Sequence, residues 1–360
     1  MNRINAISFY KGVAIMLVIM IHVSQRFCLV EPFSSITKFG DLGCQIFFTI
    51  SAFCLCLSFE NRQESYMDYL KRRIIRIAPG YWLTIVLSVS LALGSLLALG
   101  KNVLGVSLKP LDIAANVVLV NGLCPPQSAN NHVVRGGWFV GTLVILYALF
   151  PLLYKLFKKI IIKPYIAFLI CFLFFVLNAS FWYIFDSLGI PGVFFNRTYF
   201  FYFSFLNQLP SFVCGIYMFS IYEKNKKEQR PKTCYFFLFA LFFCLLCFFK
   251  YYSNYEYNSI YIPYLVGLSF VYLFELTRRM LERTDVCSRT IMNVGNNSFG
   301  MYLLNTFIAW EMGVVVNMVL SGYSDTLAYL IWLPISITIL YLLSIYYEKI
   351  ISLFSKLIFK

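Results

Sequence analysis

The opening stretch Arg3-Ile-Asn-Ala-Ile-Ser-Phe-Tyr-Lys11-Gly-Val-Ala-Ile-Met-Leu-Val-Ile-Met-Ile-His22 decides how the rest of the chain is read. It is long and apolar enough to cross a bilayer, whose hydrocarbon core takes about 20 apolar residues in a helix. A secretory signal would end in a small-residue cleavage site. Here the apolar run carries Lys11, offers no convincing site and continues to His22, so it reads as a retained first span. Similar runs recur, giving candidate spans at 6–29, 40–60, 81–100, 137–157, 163–184, 200–222, 234–250, 258–277, 296–320 and 326–348. Composition agrees: 60% of the 360 residues are hydrophobic and 13% charged, where soluble domains carry about a quarter charged. The sequence predicts an all-α integral membrane protein, a polytopic bundle of about ten transmembrane helices. No fixed-period repeat or low-complexity linker divides it, so residues 1–360 are expected to form a single domain with no fused soluble domain.

Thirty Lys plus Arg against sixteen Asp plus Glu give a net charge of +14. In a membrane protein that excess reads as loop charge that sets orientation, and a nucleic-acid partner is excluded. One set of alternate loops holds 22 of the cations, from Arg3 through the clusters at 62–76, 155–163, 224–232 and 278–289 to Lys360. The other holds 7: Arg26, Lys38, Lys101, Lys109, Arg135, Arg197 and Lys250. This split predicts both termini in the cytoplasm of a multi-pass protein of the bacterial inner (plasma) membrane, in contact with membrane lipids. Segment 101–136 becomes the longest outer loop, Pro-rich at Pro125-Pro126 and re-entrant around 112–121. Two histidines and scattered cysteines offer no metal site. Cys54, Cys56, Cys171, Cys244 and Cys247 lie in apolar runs as small hydrophobes, while Cys28, Cys44 and Cys124 fall nearer the outer surface.

Ionisable groups inside a span are costly and point to function. Lys11 and His22 are eleven residues apart; at about 100° per residue they share one helix face, about 16 Å apart along the axis. The ordinary reading is a snorkelling lysine and a locally hydrogen-bonded histidine. The functional reading is a proton-transfer site reached from outside, aligned with a cation facing something anionic inside, because imidazole exchanges protons near neutral pH. On the cytoplasmic side, Arg73 and Arg76 at i and i+3, with Arg72 beside them, form a forked patch of the kind that binds phosphates. Alone it would read as positive-inside charge.

Four further stretches carry pattern. Gly40-Asp41-Leu42-Gly43-Cys-Gln-Ile-Phe47-Phe48-Thr-Ile-Ser51-Ala52-Phe53 opens the second span, and Arg73-Ile-Ile-Arg76 is followed by Pro79 and Tyr81. Gly137-Trp138-Phe139 opens a later span, and Ser298-Phe299-Gly300-Met301-Tyr302-Leu303-Leu304-Asn305 lies near the end. In order, spacing and expected sidedness these resemble the membrane-bound acyltransferase-3 family over nearly the whole chain. The first span is similar to the family's opening helix, where a basic residue precedes the key histidine with ten residues between. The other four resemble its Gly, paired-Phe and Ser-Gly-Phe helix, its Arg-x-x-Arg motif, its span-opening Trp and its Ser-Tyr-x-x-Tyr-Leu-x-His stretch. The chain departs from the family at Asn5, often Asp; Lys11, more commonly Arg; Ala52, usually Gly; and Asn305, frequently a second His that shuttles protons.

The resemblance implies an O-acyltransferase, usually an O-acetyltransferase, moving an acyl group from cytoplasmic acyl-CoA to a sugar hydroxyl across the membrane. The acceptor would be a surface polysaccharide such as O-antigen, or its lipid-linked precursor. Acetyl-CoA would be the donor co-substrate, with no tightly bound cofactor and no metal. His22 with Lys11 is expected to carry the chemistry, His22 as general base or transient nucleophile. Arg73, Arg76 and Arg72 would hold the donor phosphates, and Asp41 would orient His22. Ser51, Trp138, Tyr302, Asn305 and Glu311 would contact substrate. The competing reading is a transporter or flippase of lipid-linked sugar, with Lys11, Asp41, Glu275 and Glu311 as a polar pathway.

Overall fold

The computed structural model describes residues 4–60, 62, 64–123, 132–158, 163–189, 202–228, 231–252, 255–282 and 285–359. Cys124, Pro125 and Pro126 lie outside them, as do the loop cations Arg3, Lys159, Arg197, Arg230, Arg283 and Lys360.

Among the described residues fourteen α-helices follow one another: α1 Asn5–Ser24, α2 Phe33–Thr37, α3 Leu42–Glu60, α4 Tyr66–Leu99, α5 Pro110–Val117, α6 Gly137–Lys158 and α7 Pro164–Ser187. After them come α8 Phe205–Asn225, α9 Thr233–Tyr252, α10 Tyr255–Thr277, α11 Val286–Asn296, α12 Ser298–Asn305, α13 Met312–Val319 and α14 Asp325–Ile358. Among the described residues there is no strand, only one isolated bridge between Val106 and His132. Among the described residues nine helical stretches are long and apolar enough to cross a membrane, so the chain is an all-α, multi-pass membrane protein.

The expected span at 200–222 corresponds to α8, which is helical for 21 residues but falls outside those nine. Its face carries Asn207, Gln208 and Ser211, all fully buried. Gln45 donates to Gln208 at 3.3 Å and Thr49 donates to the Ser211 carbonyl at 2.9 Å. α8 lies inside the bundle, packed on α3, α6, α7 and α10, so its neighbours rather than lipid satisfy its polar groups. α3 and α8 approach closely because Gly215 has no side chain; a Cβ there would collide with the Thr49 carbonyl.

α1 stands on the other side of α3, against α11, α12 and α14. Gly12 and Gly295 let α1 and α11 cross backbone to backbone, with the Ile291 and Ser8 carbonyls where their Cβ atoms would be. α4 begins well before the expected span at 81–100, capped by Ser65, whose hydroxyl accepts the Asp68 N–H. Its 34 residues reach about 51 Å, against about 30 Å of hydrocarbon, so the arginine cluster occupies a continuation of a membrane helix. The expected ninth span is interrupted where α12 widens into a π-helical turn, Thr306–Glu311, before α13. Within the loop around 112–121, α5 is tied down when Tyr81 donates to Asn116 at 2.5 Å and Asn121 donates to the Gly137 carbonyl at 2.9 Å.

Candidate active site

α1, α3, α4, α6, α11, α12 and α14 line a cavity of about 540 Å³. Lys11, Arg73 and Arg76 line it with Ser51, Cys54, Tyr147 and Glu348. Arg76 and Asn296 are exposed at the mouth, whereas Phe47, Phe139 and Tyr302 are buried at the inner end. Among the described residues none forms an ion pair with Lys11, Arg73 or Arg76. Arg73 Nε and Nη2 are buried with no hydrogen-bond partner, although the guanidinium leans over the Tyr69 ring at 5.5 Å. Buried N–H groups left open carry a large desolvation cost, and a phosphate would relieve it with charge-assisted hydrogen bonds. The one carboxylate of the lining, Glu348, is occupied in part by the Gly300 N–H at 3.0 Å. Glu348 was not singled out in the sequence, because it sits among the aromatic and basic residues of an unremarkable helix end.

Arg72 points elsewhere: its guanidinium is ion-paired with Glu64 and donates to Ser58 at 3.3 Å. Of the three expected arginines, the cavity brings two together with Lys11.

His22 does not line the cavity. It sits about 16 Å beyond Lys11 on α1, half-buried, with its ring edge-on to Trp310 at 6.2 Å. Nδ1 is buried without a partner, and Gln25 is the side chain within reach of the ring. The π-helical turn swings Trp310 and Glu311 toward α1, a common use of such widened turns at functional sites. Arg26 and Arg135 stack on the Trp310 ring at 4.1 and 4.7 Å and flank Glu311 at 3.8 and 3.3 Å. Arg26 Nε also donates to the Trp310 carbonyl at 3.1 Å. Arg135 Nε donates to His132 Nε2 at 3.0 Å, which holds the second histidine neutral. Burial, reinforced by the Arg135 charge, pushes the His132 pKa down to about 4. In the sequence Arg26 and Arg135 had counted only as loop charge. The available signal was the placement of Arg26 one helical turn beyond His22 and of Arg135 just before Gly137-Trp138.

The remaining expected residues are dispersed. Asp41 does not touch His22; Lys250 holds both of its carboxylate oxygens, at 2.6 and 2.8 Å. Trp138 lies off the cavity, packed on Phe48, Phe139, Tyr202 and Phe203. Asn305 is buried, with Oδ1 unpartnered, where α12 passes into the π-helical turn. Glu275 is paired with Arg278 and Arg279 at 2.8 and 3.0 Å and does not line the cavity. No group of three or more metal-ligating side chains occurs among the described residues.

The chain matches a family described as an acyltransferase domain over residues 4–347. No curated protein and no solved structure matched the chain. The match takes in every cavity residue but Glu348, the His22 surroundings and nearly all of the helical bundle, and the chain therefore belongs to the acyltransferase-3 family and is an acyltransferase of a membrane.

Proposed function

We propose that this acyltransferase takes an acyl group, most simply acetyl, from acyl-CoA on the cytoplasmic side. It delivers that group to a sugar hydroxyl of a surface polysaccharide, or of its lipid-linked precursor, on the outer side. The observation that carries this reading is the cavity in which three cations, Lys11, Arg73 and Arg76, face the single carboxylate Glu348 and the Arg73 guanidinium keeps two buried nitrogens unpartnered, with Lys11 on the α1 face that leads to His22. A coenzyme A donor supplies the missing negative charge through its phosphates. The loop-charge bias supports placing that mouth in the cytoplasm.

At the other end, His22 accepts the proton of the acceptor hydroxyl as its oxygen attacks the thioester carbonyl. The C–S bond breaks, and the CoA thiolate takes up a proton as it leaves. A two-step variant passes the acyl group through His22 as a transient nucleophile. Lys11, lining the donor cavity on the same face, fixes the donor below the histidine.

The test is acetyl incorporation from labelled acetyl-CoA into surface glycan, in membranes carrying the wild-type chain or His22→Ala at matched expression. Signal in the first and none in the second is expected. Equal signals would remove His22 from the chemistry, and no signal in either with acceptor present would remove acetyl-CoA as donor.

A further inference from the structure

The inner end of the cavity is built of aromatic side chains. α3 runs toward the mouth from Phe47 through Ser51 to Cys54, and α6 from Phe139 through Leu143 to Tyr147; α12 runs inward from Ser298 to Tyr302. On each of these three helices the lining residue farthest from the mouth is a ring, while α1 ends its share of the lining at Lys11 and α4 at Ile77. Phe139 lies 4.9 Å from Tyr302 and 6.0 Å from Phe47, centroid to centroid. Phe48 backs Phe139 at 4.7 Å, and Trp138 lies beside it at 6.1 Å. The Tyr302 hydroxyl donates to the Gly136 carbonyl at 2.7 Å, which fixes that ring in place. No ring of this wall can turn aside without displacing the next, because close-packed interiors have few voids to receive it.

The cations orient any donor. Its phosphates lie toward Arg73 and Arg76, so its thioester end points at the wall. We infer that Phe47, Phe139 and Tyr302 set the length of the transferred acyl group, admitting acetyl or propionyl and excluding longer straight chains. This rests on the acyl-CoA reading above and adds to it the class of acyl group and the residues that select it. Each methylene that a filled apolar pocket has to refuse is worth about tenfold or more in selectivity.

The experiment compares transfer from acetyl-, butyryl- and hexanoyl-CoA in membranes carrying the wild type, Phe139→Ala or Phe139→Leu. Binding of non-hydrolysable thioether analogues with the same chains to detergent-solubilised protein is measured in parallel and needs no turnover. The wild type is expected to favour acetyl over butyryl by about a hundredfold, for two methylenes. Phe139→Ala is expected to shrink that ratio at least tenfold while still binding the acetyl analogue, with Phe139→Leu in between. An unchanged ratio in variants that bind the acetyl analogue normally would overturn the inference and leave the donor assignment standing. If the alanine variant folds poorly, the leucine variant, read by analogue binding, decides. Failure of the wild type to bind or use any acyl-CoA would remove the donor reading and this inference with it.

Discussion

Lys11 and His22 lie on one face of α1 yet serve different places: Lys11 lines the cavity, and His22 faces Trp310 beyond its closed end. The interval between them is filled by Ala14, Ile15, Val18 and Ile19, each at most 1% exposed. The two side chains are thus separated along α1 by packed apolar residues.

The arginines are expected to separate in their effects. Arg73→Ala should lower kcat/KM for the acyl donor about ten- to a hundredfold, the equivalent of losing one or two charge-assisted hydrogen bonds, mainly through KM. Arg73→Lys should restore only part, because an ammonium does not reproduce the planar fork. Arg72→Ala should stay within about twofold, since its guanidinium is committed to Glu64. Initial rates at varied acyl-CoA check this; equal losses at 72 and 73 would contradict it.

The Asp41–Lys250 pair predicts a stability effect. Lys250→Met leaves the Asp41 carboxylate without its counter-ion and should cost about 2–3 kcal/mol, less than a fully buried pair because water reaches both groups. The double variant Asp41→Asn with Lys250→Gln should lie closer to wild type. Thermal unfolding in detergent reads both. If Asp41→Asn instead abolished transfer at unchanged melting temperature, Asp41 would belong with the chemistry.

His132 predicts a pH effect of defined sign. Its folded pKa of about 4 lies below the ordinary 6.5, so between those values the unfolded chain binds the proton and the native one does not. Stability is full above about pH 6.5 and falls as the pH drops toward 4, by about 3 kcal/mol at most. A protonated Nε2 also cannot accept from Arg135. Melting temperatures at pH 7.5 and 4.5 should show a drop in the wild type that His132→Gln lessens; an equal drop in both would remove His132 as its cause.

The α1–α11 crossing predicts that Gly295→Ala is severe, because the added carbon meets the Ser8 carbonyl, and backbone cannot yield as a flexible side chain does. Gly322→Ala, with open space around it, is the matched control. Folded yield after detergent extraction should fall severalfold for the first and stay level for the second.

Most of the architecture was legible because spans announce themselves by length and apolarity, as 6–29 did for α1. α8 was legible as a helix, but its burial was not, since its polar residues find partners on α3, far away in sequence. Within the site, Lys11, Arg73 and Arg76 were readable from helical spacing, and their shared cavity agrees with it. Arg72 was misplaced because its rotamer answers to Glu64 across a loop. Asp41 was misplaced because Lys250, 209 residues away, is no local neighbour. The Arg26, Arg135 and Trp310 cluster stayed hidden because a positive-inside count treats such charges as topology alone.

The burial of α8 bears on how the chain enters the bilayer in the first place. A segment bearing Asn207, Gln208 and Ser211 gains little by partitioning into lipid alone, while its hydrogen-bonding partners on α3 emerge from the ribosome long before it. Its polar face is therefore better placed against α3 than in lipid, and α3 is the helix that offers Gln45 and Thr49 to it. Substituting Gln45 and Thr49 by apolar residues would leave α8 stalled at the interface even though its own sequence is untouched.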